Sequence, residues 1–132
     1  MFTIVQKPRA WWPVTFLGVT EDGEVVTNKI EMNFFIMKID ELADFNRKKV
    51  EMSAEIEERL GAEDELTASR VGVELVKLIA GNWRGVAAEG VGEIPWNDEN
   101  LRMLLDVTNA LDGVIDAWSD CMAARQKVHE GN

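Results

Sequence analysis

Tyrosine is absent from this chain of 132 residues, which also has only one cysteine, one histidine and three prolines. With Cys121 alone, no intramolecular disulfide can form, so the fold must rest on its core, and a reducing compartment is compatible with that. The single imidazole, His129, lies in the C-terminal tail, more than a helical turn from Cys121. A Cys–His nucleophile pair or a Cys/His metal site would need further ligands and orienting groups that the chain lacks. No His-Glu-x-x-His sequence and no Walker-type loop is present, and Gly90-Val91-Gly92 has no third glycine in step, so neither a nucleotide nor any other cofactor is predicted. Basic residues are outnumbered 14 to 24, and the resulting formal charge of −10 disfavours a primary role on nucleic acid or anionic lipid and suits a basic partner. The apolar runs fall well short of the roughly 20 residues that span a bilayer. The start Met1-Phe2-Thr3-Ile4-Val5 lacks the basic-then-apolar order of an export signal.

What remains is the composition of a folded protein, 46% apolar and 29% charged, with enough length for one domain over residues 1–132 and no internal repeat. The pattern predicts an α+β fold, β-rich over residues 1–38 and helical over 39–128. Phe2–Val5 has the composition of a short strand that Pro8 would end. Val14–Val19 and a run from Val25 flank Asp22-Gly23, a hairpin signal because the turn needs positive φ. In the return strand Ile30, Met32, Phe34 and Ile36 alternate with Glu31 and Asn33. Phe35 and Met37 then fall on the face that began polar, and of the neighbours Trp11 and Trp12 one must point the same way. That second face needs a cover, either a helix of this chain or another chain, and self-association through the sheet is predicted on that ground.

Helices are predicted from Asp40 to Leu60, with the stripe Leu42, Phe45, Met52, Ile56 and Leu60 and a stop at Gly61, and from Glu65 to Asn82. In the second, stripes through Val71, Leu75 and Leu78 and through Val73, Val76, Ala80 and Trp83 mark it as the core helix. Asp98 to Asp106 and Asn109 to Val128 follow, capped by Asn97 and Thr108, with a frayed tail from His129. Trp96 and Leu101 have staple spacing around the Asn97 cap. Asp112 and Asp116 stand one turn apart, a spacing that can hold a divalent ion but that most often only solvates a helix face.

The run Trp83-Arg84-Gly85-Val86, then Ile94-Pro95, Asn97 to Leu101, Leu104-Leu105-Asp106 and Ile115-x-x-Trp118 resembles the tail assembly chaperones of long-tailed bacteriophages and prophages. The resemblance is tightest over residues 78–122 and looser in the hairpin and Ile39–Leu42; Trp96 stands where the family has a smaller aromatic, and Trp11-Trp12 is not a family hallmark. It implies a small N-terminal sheet with a helical remainder and a non-enzymatic role. That role is to hold the tape measure protein, to present it to polymerising tail tube subunits, and to stay in the host cytoplasm, outside the mature virion. A longer form made by ribosomal frameshifting is also a family trait. Candidate interaction residues are Trp11, Trp12, Phe35, Met37, Trp83 and Trp96. An oligomeric structural adaptor of the particle and, last, a small metal-dependent enzyme using the acidic helix faces are the alternatives.

Overall fold

The structure, a computed structural model, describes residues 1–2, 8–60 and 65–130. From residue 3 the short strand predicted over Phe2–Val5 lies outside them, as does the Gly61 stop. The fold is α+β. Strands β1 (Arg9–Val19) and β2 (Val25–Phe35) form the hairpin, followed by helices α1 (Ile39–Leu60) and α2 (Glu65–Ile79). Strand β3 (Ala80–Arg84), the small hairpin β4 (Ala87–Ala88) and β5 (Gly92–Glu93), α3 (Asp98–Leu105) and α4 (Ala110–Glu130) complete it. The chain's last two residues lie outside the described set.

The hairpin closes over three residues. The Gly23 amide donates to the Thr20 carbonyl at 2.9 Å, the Thr20 amide to the Glu24 carbonyl at 2.9 Å, and Gly23 takes φ +84°, a backbone conformation strained for any L side chain although the space around it is open. Registers run without a slip from Arg9 opposite Phe35 to Val19 opposite Val25. Strand alternation then decides the core: Trp12, Val14, Phe16, Ile30, Met32 and Phe34 face inward, with Val14, Met32 and Phe34 fully buried.

One expectation fails in an instructive way. The helix predicted to Asn82 stops at Ile79, and residues 80–84 pair antiparallel with β2 in the order β1-β2-β3. Helical periodicity in that segment competes with an unpaired edge on the long β2, and strand pairing satisfies backbone groups that would otherwise stay open. A bulge between Asn33 and Phe34 then sets Trp83 opposite Met32, in the core.

Helix α4 crosses the inner face of β1 so closely that Gly113 lies against the Thr15 carbonyl and Phe16. Its first intrahelical bond, from the Gly113 amide, ends on the Asn109 carbonyl, so Asn109 and not Thr108 occupies the cap position. Asn109 tolerates φ 70°, a left-handed value that a β-branched threonine would resist. Helix α1 is tied in by Phe45, whose ring lies 4.6 Å from that of Trp118 at 58°.

Candidate interaction surface

Two regions gather the candidate residues: the junction between β3 and α3, and the outer face of the three-stranded sheet. The junction is built from satisfied polar groups. Asn97 is extended (φ −156°, ψ 170°), and its Oδ1 accepts the Asn100 amide at 2.8 Å, which caps α3 as its residue type requires. The Asn100 side chain returns a bond to the Pro95 carbonyl at 2.9 Å. Trp83 donates Nε1–H to the Ile94 carbonyl at 2.9 Å and meets Trp96 edge-on, with centroids 5.2 Å apart at 76°. Lys77 reaches Asp98 at 3.2 Å and Glu74 at 3.6 Å; the bond to Asp98 and the charge of Glu74 raise its pKa above the usual lysine value. With Trp83 buried and Trp96 packed on the core, this junction is a welded joint, and its tryptophans serve packing.

The outer face differs. Wide and narrow pairs alternate along an antiparallel ladder, and the Ile36 amide donating to the Pro8 carbonyl at 2.8 Å makes Arg9–Phe35 a wide pair. The odd residues of β1 therefore turn their side chains to the outer face and their backbone groups to the free edge. That edge is closed in three ways. Pro13 brings no N–H, Asn109 donates Nδ2 to the Leu17 carbonyl at 3.3 Å, and Gly113 crowds the Thr15 carbonyl. On the opposite edge, the Trp83 amide donates to the side chain of its neighbour Asn82 at 2.8 Å. The middle of the β1 edge and the Trp83 amide on β3 are thus blocked to a further strand.

The outer face itself stays uncovered among the described residues, with none of its side chains buried. At one end Arg84 stacks 3.7 Å above the Trp11 ring and Arg9 lies 5.0 Å from the Phe35 ring. At the other, Leu17, Val19 and Val25 are 56%, 71% and 70% exposed. At the arginine end Asn33 sits in register between Trp11 and Asn82, its Oδ1 shut from solvent without a hydrogen-bond partner.

Of the six candidate residues, then, Trp11 and Phe35 both lie on the outer face, Trp12 turns inward as its neighbour's opposite, and Trp83 and Trp96 belong to the junction. Met37 corrects the strand-based assignment: β2 ends at Phe35, alternation no longer applies, and the Met37 side chain is buried in the core. Sequence reasoning missed Arg9, which lies before the strand predicted from Val14, and Arg84, whose place depends on β3. Once Ala80–Arg84 is a strand, alternation alone puts Arg84 outside and Trp83 inside.

For chemistry, the described residues include no group of three or more His, Cys, Asp or Glu able to hold a metal ion. Asp112 and Asp116 are exposed on α4. Cys121 is buried, and desolvation pushes its thiol pKa up, which keeps it protonated and unreactive. An open depression lined by Asn46, Lys49, Val50, Ser53 and Ala54 is made by α1 alone and brings no acid, base and nucleophile together. No described helix is long and apolar enough to cross a membrane. Compared with protein-family models, curated proteins and solved structures, the chain has no match.

Proposed function

We propose that this chain is a non-enzymatic tail assembly chaperone that binds the tape measure protein, keeps it soluble and presents it to tail tube subunits. The observation that carries the reading is the uncovered outer face of the sheet, aromatic at one end and aliphatic at the other, on a chain of charge −10. A long helical client exposes apolar surface until the tube encloses it. A partner with an open apolar face and an acidic exterior can shield that surface while charge keeps the complex dispersed. The α+β fold agrees with the one implied by the resemblance over Trp83–Asp106. The same reading places the protein in the host cytoplasm and outside the finished particle; self-association through the sheet is the competing use of the same outer face, and light scattering across micromolar concentrations tests it.

Co-expression with the protein of the adjacent long reading frame is the direct experiment. The client should become soluble and co-purify, and the complex should survive molar salt, where the Debye length falls to about 3 Å and exposed ion pairs are screened. A client that stays insoluble, with nothing bound, refutes the proposal. The exposed aliphatic positions Ile39 and Val50 on α1, 89% and 69% exposed, give some weight to the structural-adaptor reading, in which the chain is retained. Mass spectrometry of purified particles separates the two, since the chaperone should be absent.

A further inference from the structure

We propose that the outer face of the sheet is a docking site for an amphipathic helix whose apolar stripe is flanked by acidic side chains. The inference rests on the chaperone reading and deepens it, naming the surface and the client's chemistry. The free edge of β1 is blocked at Pro13, Thr15 and Leu17 and the Trp83 amide on the β3 edge is already engaged, while the outer face offers side chains only. An occupant cannot complete its hydrogen bonding there by adding a strand and must satisfy its own backbone, which a helix does.

Charge selects the flanks. The face carries Arg9, Lys29 and Arg84 against Glu31, three positive charges and one negative, a local balance of +2 on a chain of −10. A second copy laid face to face would set these cations against their own kind, so an isologous dimer is the poorer fit. An acidic flank instead meets guanidinium groups already oriented on Trp11 and Phe35, with their faces held by the rings and their N–H edges available for carboxylates. The eleven residues of β1 extend roughly 35 Å at about 3.3 Å each. A helix laid along them needs about 23 residues, or six turns, to reach from the arginine end to Leu17 and Val19.

The test uses the full chain and two labelled amphipathic peptides of 24 residues with the same apolar stripe, one flanked by Glu and one by Lys. Fluorescence anisotropy should show the Glu peptide binding more tightly, by roughly tenfold at low salt. Arg9→Glu with Arg84→Glu should reverse that preference, and Leu17→Glu, remote from the stacked rings, should weaken both peptides while leaving the circular dichroism spectrum and Tm unchanged. Equal binding of the two peptides, no binding of either, or an unaltered preference in the double variant overturns the proposal. So does a dimer, seen by light scattering, that Leu17→Glu dissociates, because the face would then be buried between copies. If the Glu peptide binds as described while co-expression fails to solubilise the long client, the docking site stands and the tape measure reading falls. If the client is solubilised but its capture is indifferent to all three substitutions, the tape measure reading stands and the docking site falls.

Discussion

Replacing Gly113 by alanine sets two effects of known sign against each other. Helix propensity favours alanine inside α4 by about 1 kcal/mol. Packing opposes it, because a Cβ at this position would lie 2.7 Å from the Thr15 carbonyl oxygen and 3.0 Å from Phe16 Cβ. Ordinary contact begins near 3.4 Å, so about 0.7 Å must be recovered, and the first obstacle is strand backbone that the β2 ladder holds in place. No side chain can swing aside to absorb it. The helix must back away from β1, loosening the Asn109–Leu17 hydrogen bond and the contacts of Val114, which is fully buried. Overpacking of this kind costs typically 1–3 kcal/mol, and a backbone obstacle puts it at the upper end. The net loss is then roughly 1–2 kcal/mol, a fall in Tm of about 3–8 °C for a domain of this size. Gly72 is the internal control: a Cβ there meets only the ends of Leu105 and Leu111 side chains, at 3.6 and 3.7 Å, so Gly72→Ala should keep most of the propensity gain and raise Tm. Thermal and urea unfolding followed by circular dichroism measure both. A Gly113→Ala protein as stable as the parent, beside a stabilised Gly72→Ala, would refute the close crossing of α4 on β1.

Three further outcomes follow from the junction and the core. Trp83→Phe leaves the Ile94 carbonyl without its indole donor and weakens the edge contact with Trp96, which should lower unfolding free energy by about 2–3 kcal/mol in urea titration; a loss under ~0.5 kcal/mol contradicts the joint. Asn97→Ala should cost about 1 kcal/mol through the lost cap of α3, and Asn97→Ser should recover most of it in the same assay. Cys121 should resist iodoacetamide in the native state and react once urea unfolds the chain. Its folded pKa is raised by burial, so its contribution to stability is full below the ordinary thiol pKa and is lost as pH rises past it. Parent and Cys121→Ala proteins should therefore draw closer in urea midpoint between pH 8 and pH 10, and a constant gap would count against the buried thiol.

The hairpin, four helices and the Asn97 cap were legible because local chemistry dictates them: Gly23 for positive φ, alternation from Ile30 to Phe34, a capping amide before Asp98 and Glu99. Strand β3 was not legible, since the pattern of Val73, Val76, Ala80 and Trp83 fits a helix and only the unpaired edge of β2, a non-local fact, overrides it. The Met37 assignment failed for a related reason, because strand alternation was carried two residues past the strand's end. For the surface, alternation correctly separated Trp11 from Trp12 but could not say that Arg84 would arrive from 73 positions away to cover Trp11.

That arrival also changes the electrostatic inference. From composition alone, a charge of −10 suits a basic partner. Recognition, however, is set within about a Debye length of the contact, roughly 8–10 Å at moderate salt, where the neighbours are Arg9, Lys29 and Arg84. Under the docking proposal, an acidic helix approaching the helical side would meet like charge, whereas the same helix approaching the sheet would meet Arg9, Lys29 and Arg84 beside exposed apolar side chains. The overall acidity then works as orientation: it excludes the wrong approach and leaves one face open. The blocked stretch of the β1 edge and the engaged Trp83 amide add a second filter, disfavouring extended chains that would bind through their backbones. On the docking proposal, a surface with those two filters would favour ordered, acidic, amphipathic helices over unfolded chains and over copies of itself, the discrimination that the proposed chaperone role requires.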